Sequence, residues 1–313
     1  MIRFLRCFSA VLPSMRVRII GGQTEIEPAP EPLPYPLHAS VASMSSTHRT
    51  YRLPAWRLPP GVAPGTWEYT QRESIADEYA AFLKHTPLIA VDLEWMLQAL
   101  APAEPDRRSR VIDFGCGDGR AMRLLWKRGY DVLGIDLSQP MLGRAALECE
   151  DEAFHSRLVR ANLVQLDGLQ DAIAAHAICL FSTIGMIRGR VHRRRFLAQA
   201  ARLVKPGGTL VLHVHNRNDA WRDRPSAAAY LRSLWQSMRS KDCEIGDRTY
   251  AYRGLADMFL HTYSLHELRR DLVASGWHPE NIRSLSPQSD AALCCPRILP
   301  SLRAGGFMAI ARR

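Results

Sequence analysis

The chain of 313 residues is long enough for one large α/β domain with extensions, and 47% of its residues are hydrophobic, as in a protein that buries a core. The net charge of +10 is compatible with an anionic partner such as RNA but does not require one, because a basic surface also serves solubility. The seven cysteines form no C-x-x-C pair, which argues against a metal site and a disulfide framework and favours the reducing cytoplasm.

Residues 1–50 are predicted to be a disordered tail with a proline-rich linker. Arginines but no acidic residue precede Glu25, a composition shared by transit peptides and unstructured tails, and both alternatives stay open. Alternating prolines from Pro28 to Pro36 favour an extended linker. The apolar run from Phe8 to Leu12 is too short to span a bilayer, so we expect no membrane partner.

Residues 51–105 are predicted to be a helical extension that caps the main domain. Ile75, Tyr79 and Phe82 share one face of a helix at 72–84, and a second helix is predicted at 88–100.

Residues 106–313 alternate short apolar strands with helices, which predicts an α/β domain with a mostly parallel sheet. Strands are predicted at 111–114, 130–136, 158–163, 177–182, 209–215, 281–285 and 307–311. Helices are predicted at 120–128, 138–149, 191–204 and 264–276, with Ser138 as an N-cap and Ser264 with Glu267 as a capping box. An insert at about 217–263 adds a helix and two strands.

A glycine-rich turn, from Asp113 to Gly119, joins the first strand of this domain to its helix. Such a turn brings a ligand against the backbone, which a Cβ would prevent. A dinucleotide fingerprint needs a third small residue where this chain has Arg120, so the spacing disfavours a pyrophosphate. Asp136 ends the second strand, where a carboxylate can bind ribose hydroxyls. The pattern favours S-adenosylmethionine as the cofactor.

The stretch from Val111 to Asn216 resembles the core of class I S-adenosylmethionine-dependent methyltransferases. The matching pieces are Val111–Gly119, Leu133–Ser138, Arg160–Leu163 and Leu203–Leu210. The resemblance implies a Rossmann-like, seven-stranded, mostly parallel sheet with helices on both faces and an antiparallel last strand.

The resemblance also implies the cofactor-binding residues. It assigns the methionine end to the turn, the ribose to Asp136, the adenine to Asn162 and Leu163, and the junction with the acceptor to Phe181. The full set is Asp113, Gly115, Cys116, Gly117, Gly119, Asp136, Leu137, Asn162, Leu163 and Phe181. Asn162 departs from the Asp usual in relatives, but its amide can still form hydrogen bonds. An aromatic residue that closes over the cofactor is sought among Trp67, Tyr69 and Tyr79, each of which is also a candidate core residue.

The sequence does not determine the methyl acceptor. The fourth strand ends without the Asn/Asp-Pro-Pro-Tyr/Phe of adenine-directed enzymes or a Pro-Cys nucleophile, which argues against methylation of adenine amino groups and of cytosine C5 in nucleic acids. We expect a small-molecule acceptor. The alternative is RNA, because the stretch from Met258 to Glu267 faintly resembles tRNA wobble-uridine methyltransferases. The oligomeric state stays open.

Two features near the predicted acceptor side have alternative interpretations. His215 is the candidate catalytic base or, equally, a satisfied histidine at a strand end. Five arginines follow the fourth strand and either bind a phosphate or carboxylate or form a solvated helix turn. They are Arg188, Arg190, Arg193, Arg194 and Arg195.

Overall fold

The structure is a computed structural model. It describes residues 15–20, 23–28, 53–100, 109–149, 152–155, 157–222, 224–240 and 242–313. The chain divides into two units, Met1–Ser43 and Met44–Arg313. In the first, strands β1 (Met15–Ile20) and β2 (Gln23–Pro28) form an antiparallel hairpin. This hairpin lies inside the stretch predicted to be a tail, and the proline-rich linker lies outside the described residues.

The second unit begins with a short 3-10 helix (Ala55–Arg57) and three α-helices, α1 (Pro64–Gln71), α2 (Glu73–Lys84) and α3 (Leu88–Ala99). The sequence predicts α2 and α3 but not α1. Helix α1 packs closely on the later insert: a Cβ on Gly65 would lie 2.1 Å from the carbonyl oxygen of Asp257. Only glycine fits at this contact.

The main sheet has seven strands and confirms the predicted Rossmann-like class. In chain order they are β3 (Arg110–Phe114), β4 (Asp131–Asp136), β5 (Leu158–Arg160), β6 (Ala174–Cys179), β7 (Val204–His215), β10 (His278–Ser284) and β11 (Gly306–Arg312). Their spatial order is β10-β11-β7-β6-β3-β4-β5. Pairing is parallel from β7 to β5, and β11 is antiparallel to both of its neighbours.

The connecting helices of this domain are α4 (Arg120–Lys127), α5 (Gln139–Leu147), α6 (Glu152–His155), α7 (Arg190–Leu203), α9 (Leu265–Ala274) and α10 (Pro300–Arg303). The predicted N-caps are confirmed: Ser138 accepts a hydrogen bond from the Met141 N–H, and Ser264 accepts one from the Glu267 N–H. No helix within the described residues is long and apolar enough to cross a membrane.

The insert consists of a 3-10 helix (Arg217–Arg222), α8 (Arg224–Arg239) and the antiparallel hairpin of β8 (Asp247–Tyr252) and β9 (Leu255–His261). Its hairpin packs with α2 and α5 in an apolar cluster of buried residues. These residues are Ile75, Ala76, Met141, Leu255 and Met258. The insert and the N-terminal helices therefore share one small core.

The fourth strand of the sheet, β6, differs from its predicted position of 177–182. It runs from Ala174 to Cys179, so its first half is less apolar than expected. The chain leaves the sheet before Phe181 because Phe181 and Ser182 adopt left-handed conformations with φ of +52° and +59°. Extended pairing does not continue through such residues.

Candidate active site

The glycine-rich turn lies between β3 and α4. Gly115, Gly117 and Gly119 have φ values of +76°, +54° and +76°, which glycine adopts without strain. A Cβ on Gly115 would lie 2.3 Å from Thr183 Cγ2, and one on Gly119 would lie 3.0 Å from a side chain of α5. A Cβ on Gly117 would meet nothing nearer than Tyr79 Cε1 at 3.9 Å. Gly117 is therefore the turn residue that leaves room for a ligand against the backbone.

Asp136 ends β4 with its carboxylate beside this turn. Its Oδ2 accepts a hydrogen bond from the Gly117 N–H at 2.9 Å, and its Oδ1 accepts one from the Ser138 N–H at 2.8 Å. Burial raises the pKa of Asp136, and these backbone donors oppose the rise. A hydrogen-bond acceptor thus borders the open space at Gly117, and its role toward a ribose stays a prediction.

Asp113 is 4% exposed at the end of β3. Burial raises its pKa to about 7; the Arg120 guanidinium opposes this rise, and the Asp136 carboxylate adds to it. Cys116 points away from the open space, because its Sγ would lie 2.9 Å from a Cβ on Gly134 in the core. Only the backbone of Cys116 can serve the predicted site.

The predicted adenine-binding residues follow β5. Asn162 Oδ1 accepts a hydrogen bond from the Val164 N–H at 3.1 Å, and its Nδ2 donates to the Pro60 carbonyl at 3.0 Å. Leu163 is buried in the main core, and the Leu137 carbonyl accepts a hydrogen bond from an arginine of β5 at 3.2 Å. An adenine that bonded to Asn162 would therefore replace its contact with Pro60.

Phe181 and Ser182 form the left-handed turn after β6, at the edge where the cofactor and acceptor are predicted to meet. Two neighbouring elements hold this turn. Asp92 Oδ2 accepts a hydrogen bond from the Phe181 N–H at 3.0 Å, and Ser182 Oγ accepts one from the His215 N–H at 3.3 Å. Strained turns that are fixed from several sides are common at functional sites.

A buried pair lies behind the turn, with Asp92 Oδ2 3.5 Å from His213 Nδ1. Burial raises the pKa of Asp92 to about 7 and lowers that of His213 to about 3. His215 contacts His213 edge-to-face, with ring centroids 5.2 Å apart. Burial also lowers the pKa of His215 to about 3, with His213 and Arg248 adding to the shift. A neutral imidazole with so low a pKa is a weak base.

Tyrosines from the N-terminal helices and the insert lie close together, and Tyr79 borders the open space at Gly117 in the glycine-rich turn. The rings of Tyr69 and Tyr252 are 6.2 Å apart, and those of Tyr250 and Tyr252 are 6.5 Å apart. Burial raises the pKa of Tyr69, and Tyr79, Tyr252 and Asp136 add to the rise, which places Tyr69 near the Asp136 carboxylate. Two of the three candidate covering aromatics thus lie at the site, and the third, Trp67, is half-buried on α1.

The arginines at the start of α7 are neutralised within the protein. Arg190 donates to Asp271 Oδ1 at 2.9 and 2.6 Å, and Arg194 donates to the same oxygen at 2.8 Å. The fully buried Arg193 donates to Glu244 at 2.7 Å. These three side chains therefore do not form the open anion site that is one of the two alternatives from the sequence, whereas Arg188 and Arg195 are exposed as the other alternative expects.

Further charged residues of the insert and α9 contact these arginines and one another. His261 is fully buried, with Nδ1 2.6 Å from Asp247 Oδ1 and Nε2 3.1 Å from Glu267 Oε1. Glu267 also accepts a hydrogen bond from Arg217 and lies 3.8 Å from Arg193. We call this set the arginine network; it comprises Arg190, Arg193, Arg194, Arg217, Glu244, Asp247, His261, Glu267 and Asp271.

Sequence reasoning did not single out Asp92 as a functional residue. The sequence nevertheless contains an indication of a special role for Asp92. This carboxylate lies on the apolar face of α3, whose other buried residues are Leu88, Val91, Trp95 and Met96. A charged residue in such a position must be paired or protonated when it is buried.

Comparison with known proteins gives a consistent result. A family model described as a methyltransferase domain matches residues 89–281. A demethylmenaquinone methyltransferase of Tropheryma whipplei is 34% identical over 198 residues, which cover 62% of this chain and 77% of the relative. A ubiquinone biosynthesis O-methyltransferase of Dechloromonas aromatica is 34% identical over 130 residues, 40% of this chain and 51% of the relative. The chain thus spans about half the length of that relative.

Solved structures share the fold at low sequence identity. An S-adenosylmethionine-dependent methyltransferase of Methanosarcina mazei aligns with a TM-score of 0.53 at 19% identity, covering 70% of this chain and 96% of that one. The 1,6-didemethyltoxoflavin-N1-methyltransferase of Burkholderia thailandensis, solved with 1,6-didemethyltoxoflavin and S-adenosylhomocysteine, aligns with a TM-score of 0.52 at 17% identity, covering 82% and 92%.

Proposed function

Because this chain belongs to the class I S-adenosylmethionine-dependent methyltransferases, we propose that it transfers the methyl group of S-adenosylmethionine to a small aromatic or quinoid molecule. The observation that carries the proposal is the open space at Gly117. The Asp136 carboxylate, which accepts a hydrogen bond from the Gly117 N–H, borders this space. A side chain at Gly117 would fill that space, so the residues fit a ligand that lies against the backbone.

When bound, the cofactor supplies an electrophilic methyl group on a cationic sulfonium. The chain's own task is to hold, orient and enclose it. In this proposal Asp136 accepts hydrogen bonds from the ribose hydroxyls, and Gly117 lets the ligand lie against the main chain. The side chains of Tyr69 and Tyr79 exclude water from the bound cofactor. The fixed turn at Phe181 forms the wall toward the acceptor.

The proposed class of acceptor rests on the aromatic and apolar side chains that lie around the candidate site. Tyr69, Tyr79, Tyr250 and Tyr252 pack with the apolar residues shared by α2, α5 and the insert hairpin. Aromatic and apolar walls suit a flat apolar ring. The relatives are named as a ubiquinone biosynthesis O-methyltransferase and a demethylmenaquinone methyltransferase, which supports a ring-shaped acceptor.

RNA is the second candidate acceptor, and the net charge of +10 favours it. Against it stands the arginine network, in which Arg190, Arg193 and Arg194 already bind carboxylates of the protein. Phosphate contacts would need cations that are free at the mouth of the site. We keep the cytoplasm as the proposed location, on the composition argument alone.

The test is methyl transfer from S-adenosylmethionine labelled with tritium in the methyl group. The acceptors are a panel of hydroxylated aromatic acids and reduced quinones, and total tRNA is assayed in parallel. We expect label in the extracted small-molecule fraction and none in tRNA, with the Asp136→Ala variant as the inactive control. Label in tRNA, with binding that weakens steeply as salt rises, would contradict the proposed acceptor.

A further inference from the structure

We propose that Arg120 is the binding residue for the carboxylate of the cofactor's amino-acid end, with Tyr79 as its partner. The inference rests on the proposed function and adds a charged subsite to it. Arg120 is the first residue of α4 and occupies the place where a dinucleotide-binding turn needs a small residue. The side chain that leaves no room for a pyrophosphate would thus bind a different anion, the carboxylate of the cofactor.

The position of the guanidinium group supports this assignment. Arg120 Nη1 donates to the Tyr79 hydroxyl at 3.5 Å, and its Cζ lies 5.6 Å from the centroid of the Phe181 ring. Tyr79 is also the residue nearest to the space that Gly117 leaves open. Arg120 therefore lies between the predicted methionine end of the site and the wall toward the acceptor.

One donor of this guanidinium group is buried and unused. Within the described residues, Arg120 Nε has no hydrogen-bond partner. A buried donor without a partner is costly, and a ligand oxygen would satisfy it. Guanidinium and carboxylate groups match as planar, paired hydrogen-bonding surfaces, so a carboxylate is the ligand group that fits best.

The surrounding charges suit a ligand that carries both signs. Arg123 already contacts Asp118, donating to its carbonyl and lying 3.9 Å from its carboxylate. Asp113 is buried and interacts electrostatically with Arg120. The amino-acid end of the cofactor carries an ammonium and a carboxylate, which pair with Asp113 and Arg120, respectively.

The competing explanation is that Arg120 only balances the charge of Asp113. Titration calorimetry with two ligands separates these roles. S-adenosylhomocysteine has the amino-acid end, whereas 5′-methylthioadenosine lacks it and keeps the adenosine. Both are titrated into the wild type, Arg120→Met and Arg120→Lys, with Arg128→Gln as the control on the exposed end of the same helix.

We expect Arg120→Met to lower the affinity for S-adenosylhomocysteine at least about tenfold, which is the effect of losing a charge-assisted hydrogen bond. The affinity for 5′-methylthioadenosine should change less than about twofold. Arg120→Lys keeps the charge without the planar fork and should fall between the wild type and Arg120→Met. Equal loss for both ligands, or no loss for either, would overturn the assignment. If Arg120→Met does not fold, Arg120→Lys decides by the same ratio. A wild type that binds neither ligand would instead refute the proposed function.

Discussion

The glycine turn and the arginine network lie in the same unit of the protein and use charge in opposite ways. At the turn, Asp136 and Arg120 border open space, and Arg120 retains a buried donor without a partner. In the network, three carboxylates surround His261 and the buried Arg193, and one of them, Glu267, lies near both. Arg193 Nε also has no hydrogen-bond partner within the described residues, but its guanidinium group is paired with carboxylates of the protein. We propose that the first region binds a ligand, whereas the charges of the second balance one another.

The difference shows that a cluster of charged residues does not by itself indicate a binding site. Five arginines close together suggest an anion site in the sequence, yet three of them pair in the fold with acidic residues of the insert and α9. What distinguishes the turn is the unfilled space at Gly117 next to polar groups. Substitutions in the two regions should therefore affect different quantities.

The largest effect is expected from Arg193→Met. The guanidinium group is fully buried against Glu244 and Glu267, so its removal leaves carboxylates without a countercharge. We expect a loss of about 3–5 kcal/mol in the free energy of unfolding, measured by urea denaturation. Arg195→Met is the matched control, because Arg195 forms an exposed ion pair with Asp167 and should cost about 0–1 kcal/mol. Equal costs would contradict the buried network.

Glu267 gives the network a defined pH dependence. Burial alone would raise its pKa, but the hydrogen bond and charge of His261, with Arg217 and Arg193, outweigh burial and lower the pKa from 4.5 to about 2. A lowered pKa stabilises the fold above pH 4.5, and the stabilisation is lost as the pH falls toward 2. We expect the stability difference between wild type and Glu267→Gln to shrink by about 2–3 kcal/mol between pH 6 and the lowest pH at which the fold persists. A constant difference would refute the assignment.

Gly117→Ala tests the open space at the turn, whereas the preceding substitutions test charges. The substitution strains a backbone with a φ of +54° but meets no protein atom nearer than 3.9 Å. Gly207→Ala is the matched control, with a φ of +77° and nothing within 4 Å. Both should cost about 1–2 kcal/mol of stability. Of the two variants, only Gly117→Ala should also lower the affinity for S-adenosylhomocysteine, at least about tenfold as measured by calorimetry. Equal affinity in the two variants would show that the space at Gly117 holds no ligand.

Much of the fold could be predicted from the sequence, because its signals are local. The turn from Asp113 to Gly119 is contiguous, and strand and helix periodicity locate the elements around it within a few residues. The N-cap serines are equally local. Asp136 could be placed near the turn because parallel neighbouring strands end at the same edge of a sheet.

The remaining features depend on contacts between distant residues. The left-handed turn at Phe181 interrupts an apolar run that predicts continued strand, and it is held by Asp92, 89 residues away. Glu267 is part of the predicted capping box, but its carboxylate binds His261 and Arg217. The partner of Arg190 lies 81 residues along the chain. No local pattern specifies such pairs, and they determine whether a charge is available to a ligand.

The central claim is that the turn and Asp136 together bind S-adenosylmethionine. The most direct test is calorimetric titration of S-adenosylhomocysteine and, separately, NAD into the wild type and Asp136→Ala, with thermal unfolding as a check on the fold. We predict binding of S-adenosylhomocysteine but not NAD to the wild type, and an affinity at least about tenfold weaker in Asp136→Ala. NAD binding, or an unchanged affinity for S-adenosylhomocysteine in a folded Asp136→Ala protein, would contradict the account.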